Sequence, residues 1–302
     1  REVKADMTLW YEGQVWARFS GWSDWRFETS GQLWSLMRYP EHNLYALPIL
    51  SHQGIAITLA KGISSAASSR EFLVGRCLNQ SERQEYRQLN IKAQRDWLAG
   101  RVASKDALRY LIWERAQRPL FPAEIALSPR VAQTAPSFAR SSLPIDLQYN
   151  YPLSLSHSQG RAVAVVATPH AQLRSLGIDL ELVVDRSADW RNASFSHAEL
   201  QRLDSLAPER ESEALTLWWT LKEASAKCAQ SGLKSPKLWT IQNWQALSMA
   251  NTAASTRLQN GVTTLSQGTA MVCSELDQHT YQLYWWIFEE ETQRFCMALC
   301  RR

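Results

Sequence analysis

An internal echo restricts the fold of this chain more than any single segment does. Asn79-Gln-Ser-Glu-Arg-Gln-Glu-Tyr-Arg-Gln-Leu89 can be laid on Ser196-His-Ala-Glu-Leu-Gln-Arg-Leu-Asp-Ser-Leu206. After a four-residue gap, Arg101-Val-Ala-Ser104 falls on Lys222-Glu-Ala-Ser225, which puts Val102 at the place of Glu223. Each half then runs strand, helix, long helix in the same order, which reads as a weak duplication. The expected fold class is α+β: a pseudo-dimer of two similar α+β halves, each a small mainly antiparallel sheet packed on a long helix. Chance similarity between two amphipathic helices is the competing explanation.

The chain is large enough for such a pair. Its 302 residues, 45% hydrophobic and 21% charged, exclude a disordered chain. Lys plus Arg number 33 against 29 Asp plus Glu, a net +4 that does not call for nucleic acid but suits an anionic ligand or an acidic protein partner. The longest apolar run in mid-chain, Ala162 to Ala167, is far short of the roughly 20 residues that span a bilayer, so no membrane partner is expected. The first ten residues lack the apolar core of a signal peptide and read as excised or processed. Cys77, Cys228, Cys273, Cys296 and Cys300 are scattered without a CxxC pair, which argues against zinc and for a reducing, cytoplasmic location.

Three stretches differ in texture. Residues 1–50 hold Trp10, Trp16, Trp22, Trp25 and Trp34, five of the 14 tryptophans, and read as a linker or the remnant of a preceding domain, with aromatic bulk that packs on something. Residues 51–150 form the first half: a strand at Ile55 to Leu59, helix over 66–116, then a connector over 117–152 with six of the 11 prolines. Residues 151–302 form the second half, with strands at Ala162 to Thr168 and Gly177 to Val184, helix from Ser196 to Gln230, and a strand pair, Thr280 to Phe288 and Arg294 to Cys300, around the acidic turn at Glu289 to Glu291.

Three clusters could carry chemistry, and each has a bland reading. In Leu153-Ser-Leu-Ser-His-Ser158 a histidine flanked by hydroxyls can bind phosphate, or the hydroxyls can satisfy a local turn. In Gly177-Ile-Asp-Leu-Glu181 strand alternation projects Asp179 and Glu181 to one side, about 7 Å apart, where a divalent cation would relieve their repulsion. A solvated strand face explains the same pattern. In Leu217-Trp-Trp-Thr-Leu-Lys-Glu-Ala-Ser-Ala-Lys227, Trp219, Glu223 and Lys227 fall one turn apart on one helix face, as a routine surface ion pair also would.

Taken in order, the three resemble the signature of the phosphopantetheinyl transferase superfamily: Leu155-Ser-His-Ser158, Gly177-Ile-Asp-Leu-Glu181, Trp219-Thr-Leu-Lys-Glu-Ala-Ser-Ala-Lys227 and the following Gly232-Leu233. Trp97 to Leu108 is similar to a helix these enzymes carry in their first half, so the likeness covers roughly residues 55 to 290. Length and duplication resemble the surfactin-synthetase type, a monomeric pseudo-dimer. The Trp-rich start resembles the junction where such a transferase is fused to the C-terminus of a polyketide synthase, as in enediyne synthases. The resemblance implies transfer of 4′-phosphopantetheine from coenzyme A, the substrate, to a serine of an apo acyl carrier protein, with release of 3′,5′-ADP; the carrier domain could lie in the same parent polypeptide. It implies Mg²⁺, with Mn²⁺ as the alternative, on Asp179, Glu181 and Glu223. Asp179, Glu223 and Lys227 are the implied catalytic set, with Glu223 as base. Ser156, His157, Lys92, Arg101, Lys222 and Lys227 are the implied coenzyme contacts.

One feature departs from the family pattern. Relatives carry Gly-Lys-Pro shortly before the Ser-His-Ser motif, where this chain has Ser142-Leu-Pro144, and Arg140, Lys92 or Arg95 are the candidate replacements for that cation. The missing lysine favours the competing function, a non-catalytic carrier-protein-binding module derived from the same fold. No Walker loop, GxSxG elbow or HExxH is present, which leaves little room for nucleotide hydrolysis, esterase or zinc-protease chemistry.

Overall fold

The structure, a computed structural model, describes residues 2–25, 50, 53–61, 67–116, 120–128, 136–171, 173–206, 210–247, 257–258, 262–290 and 292–302. The fold is α+β, as expected, and its sheets are antiparallel.

The first layer is helical: α1 (Ala67–Cys77), α2 (Gln80–Gln88) and α3 (Ile91–Ala116). Against α3 lies a three-stranded sheet in the order β3 (Ile55–Ala60), β5 (Arg161–Ala167), β4 (Leu153–Ser158). β4 and β5 therefore join β3, and this sheet includes residues from both sides of the boundary expected at 150/151. A second sheet runs β6 (Leu176–Leu182), β11 (Gln293–Arg301), β10 (His279–Glu290), β9 (Val262–Ser274), β7 (Trp239–Ala246), with the short β8 (Arg257–Leu258) also on β9. Beyond it lie α4 (Ala188–Ser194), α5 (His197–Asp204) and α6 (Glu211–Cys228).

Strand alternation builds the layers. Ala56, Ala60, Ala162, Ala164 and Val166 pack on the α3 side, whereas Ile55, Ile57, Leu59, Val163 and Val165 face the second sheet. That sheet answers with Ile178, Leu180, Phe288, Phe295, Met297 and Leu299, and turns Leu283, Trp285, Ile287, Cys296 and Ala298 toward α6. The outcome is helix, sheet, sheet, helix, with three apolar cores between four layers.

The halves repeat a buried ion pair. Asn79 and Ser196 each cap a helix in a capping box with Glu82 or Glu199. Lys105, 23 residues beyond Glu82, donates to its Oε2 at 2.5 Å and to the Cys77 carbonyl, 28 residues back, at 2.6 Å. Lys222, 23 residues beyond Glu199, donates to its Oε2 at 2.8 Å and to the Ser194 carbonyl, also 28 residues back, at 3.1 Å. The echo therefore runs without the four-residue gap, and Asp106, not Val102, stands where Glu223 does. Asp106 is buried and tied to Arg109 Nη1 at 2.6 Å.

Several expectations shift. The helical stretch 66–116 divides into three helices, and the Ser-His-Ser motif lies in strand β4, so the alternative of a local turn does not hold. In the Trp-rich start, β1 (Glu2–Tyr11) and β2 (Gln14–Trp25) form a hairpin. On it Trp10 is 65% and Trp16 72% exposed. Trp34 lies outside the described residues. Among the described residues, no helix is long and apolar enough to cross a membrane.

Candidate active site

β6 and α6 build the site together. In β6, Ile178 and Leu180 turn into the core between the sheets. The intervening Asp179 and Glu181 turn toward α6. Gly177 permits the close approach of strand and helix, because a Cβ there would stand 2.0 Å from the Ala224 carbonyl oxygen and 2.5 Å from the Cys228 nitrogen. From Ala214 to Cys228, every α6 residue is buried except Trp219, Glu223 and Lys227. This stripe of one residue per turn is what opens onto the carboxylates.

Asp179 is only 3% exposed, which rules out the solvated strand face. Its Oδ1 accepts from Lys227 Nζ at 2.7 Å and from the Ser156 hydroxyl at 2.8 Å, and its Oδ2 is buried with no partner. Lys227 also donates to the Ile178 carbonyl at 3.1 Å. Glu181 has Arg186 Nη2 at 3.5 Å and a hydrogen bond from Trp219. The Arg186 guanidinium lies 4.8 Å over the Trp190 ring, which is 5.1 Å from that of Trp219.

The carboxylates feel one another. Burial, then the charge of Asp179, then that of Glu181 push the Glu223 carboxyl up to about 7, with Lys227 opposing. Burial and then Asp179 raise Glu181 as well, against Arg186 and Lys227.

The other expected residues divide. Ser156 is in the site through Asp179 and His157 is exposed beside it on β4, but two expected coenzyme contacts, Lys222 and Arg101, are placed differently. Lys222 is fully buried, and Glu199, Ser194 and Pro236 take its three ammonium protons, so it secures α6 and has no donor left for a coenzyme. Arg101 is buried in the first half against Glu82 and Glu85, its guanidinium 4.4 Å from the Trp97 ring centre; it is neither free for phosphate nor a snorkelling surface arginine. Lys92 is an exposed residue in the first turn of α3. Arg186 and Trp190 escaped the sequence reading, since no local periodicity ties them to Glu181. The serines at 154 and 158 did carry a signal, the alternation of Leu-Ser-Leu-Ser-His-Ser.

A strand carboxylate pair, a helix glutamate one turn from a lysine, and a hydroxyl-held aspartate fall within or beside one segment of the chain. Residues 175–300 match the family model of the 4′-phosphopantetheinyl transferase superfamily. The matched stretch runs from β6 through β11 and includes Asp179, Glu181, Glu223 and Lys227. The match supports phosphopantetheine transfer in general; coenzyme A as substrate and a carrier protein as partner are properties of that superfamily. No curated protein matches the chain.

The donor set suits the divalent metal typical of such transferases. Among the described residues, no three or more His, Cys, Asp or Glu side chains are grouped so that they could hold a metal ion, so Asp179, Glu181 and Glu223 do not by themselves form a complete ligand set. Magnesium does not need one, because it keeps waters and binds through a few carboxylates together with substrate phosphates. The buried, unpartnered Oδ2 of Asp179 is a hard oxygen donor of that kind.

Proposed function

We propose that this protein transfers 4′-phosphopantetheine from coenzyme A to a serine of an apo acyl carrier protein of the polyketide type, including one in its own parent polypeptide. The observation that carries the reading is Asp179, a buried carboxylate held at one oxygen by Ser156 and Lys227 and left open at the other, within the segment that matches the transferase family.

Asp179, Glu181 and Glu223 would hold Mg²⁺ or Mn²⁺, which when bound supplies neutralising charge to the diphosphate of coenzyme A. Lys227 offers a partly exposed ammonium beside the carboxylates, suited to a phosphate as a point charge. Ser156, bonded to Asp179, would face the coenzyme, whereas His157 projects from the opposite face of β4 and is exposed there. The carrier serine oxygen bonds to the β-phosphorus as the bond from that phosphorus to the departing 3′,5′-ADP breaks, and Glu223 takes the serine proton. Asp106, the first-half counterpart of Glu223, is held by Arg109, in keeping with one active site in a monomeric pseudo-dimer.

Incubation with apo carrier, coenzyme A and Mg²⁺ should add one phosphopantetheine mass to the carrier and none in EDTA. No coenzyme A binding by calorimetry, together with no gain on several carriers, would favour a carrier-binding module without catalysis.

A further inference from the structure

β6 is the last strand of its sheet, with β11 on one side, so its other side presents backbone groups that need partners. Hydroxyls of β4 supply them. The Ile178 N–H donates to Ser154 Oγ at 3.0 Å, the Leu182 N–H donates to Ser158 Oγ at 3.2 Å, and between them Ser156 Oγ donates to Asp179 Oδ1 at 2.8 Å. The partners are 24, 24 and 23 residues apart, so β4 and β6 run side by side in a fixed register with hydroxyls in place of a backbone ladder.

We infer that Ser154 and Ser158 are positioning residues: they lock β6 against β4 and thereby set where Asp179 and Glu181 stand relative to α6. Serines that merely satisfied local backbone would bond within a few residues of themselves. These instead join the first sheet to the edge of the second. β4 can spare them because its backbone already pairs with β5, and its leucines, Leu153 and Leu155, pack into the core on the α3 side. The hairpin turn at Gln159 and Gly160, both at positive φ, ties the end of this hydroxyl row to β5. Register matters here because a one-residue slip of β6 would turn both carboxylates to the opposite face.

The cation part of this inference rests on the function proposed above. Two readouts that need no turnover test it: NMR exchange of the Ile178 and Leu182 amides, and Mn²⁺ affinity by calorimetry without coenzyme or carrier. Ser154→Ala should speed exchange at Ile178, and Ser158→Ala at Leu182, by about tenfold or more. Each should weaken Mn²⁺ binding by about tenfold, the lower end for groups that orient metal ligands. Ser158→Thr keeps the hydroxyl and should restore both. Unchanged exchange in both alanine variants, or faster exchange with unchanged Mn²⁺ affinity, would overturn the positioning role. A wild-type protein that binds no Mn²⁺ would instead overturn the metal site, and amide exchange alone would then decide whether the hydroxyls hold the register. The two alanine variants sit at separate positions, so failure of one to fold leaves the other to decide.

Discussion

Lys222 and Glu199 form an ion pair 2.8 Å long with side chains 0% and 1% exposed. The helix that carries Glu223 and Lys227 is thus pinned from its buried side by the residue immediately before Glu223. Lys222→Met would leave the Glu199 carboxylate buried without its cation. Loss of one partner of such a pair costs about 3–5 kcal/mol. Urea unfolding should show that loss, and Lys105→Met, which leaves Glu82 with Arg101 at 3.9 Å, should show a smaller one.

Gly177→Ala tests the contact between β6 and α6. The new methyl would meet backbone atoms of Ala224 and Cys228, which cannot rotate away. Forced overpacking of this kind costs about 1–3 kcal/mol or more. The thermal midpoint should fall, and transfer activity should fall further than stability at assay temperature explains, because Asp179 moves relative to Glu223.

Asp179→Ala should abolish carrier modification while the protein stays folded, since Lys227 is partly exposed and can turn to water. Mass spectrometry of the carrier, beside circular dichroism of the variant, separates the two. Retained transfer in Mg²⁺ would remove Asp179 from the ligand set.

Glu223→Gln keeps the shape and removes the basic carboxylate. The turnover number should drop by about 10²- to 10⁴-fold, the usual contribution of a positioned base, with a smaller change in KM for coenzyme A. An unchanged turnover number would end its role as base.

Asp106 makes stability depend on pH. Burial is the main cause that lifts its carboxyl from the ordinary 3.8 to about 7 in the folded protein, against the pull of Arg109. Between those values the folded chain holds a proton that the unfolded chain has released. The stabilising contribution is therefore complete below about pH 4 and is lost as pH rises to about 7, with a slope of at most about 1.4 kcal/mol per pH unit. Asp106→Asn stays neutral throughout, and its unfolding free energy between pH 4 and 7 should be flatter than that of the wild type.

Much of the site was legible because it is local. Alternation along Gly177-Ile-Asp-Leu-Glu181 placed both carboxylates on one side of β6, and helical spacing placed Trp219, Glu223 and Lys227 on one face of α6. Arg101 and Lys222 were misassigned because the partner of a long cationic side chain is not written in its neighbours. Lys222 reaches residues 23 and 28 positions back, and Arg101 reaches Glu85, 16 positions back.

The register of the echo shows the same division. Aligned letter by letter, Arg101 seemed to match Lys222; in three dimensions Lys105 does, because both ammonium groups satisfy the second carboxylate oxygen of a helix-capping glutamate. By itself the sequence determined the fold class, the periodicity of each functional segment and the order of the motifs, all of which follow from side-chain spacing over a few residues. Which cations are buried and which face the site, how the serines of β4 close the edge of β6, and how near α6 lies to Gly177 were decided by tertiary packing. Those depend on which distant segments exclude water from one another, and a buried charge or N–H must take whatever partner that packing brings within reach.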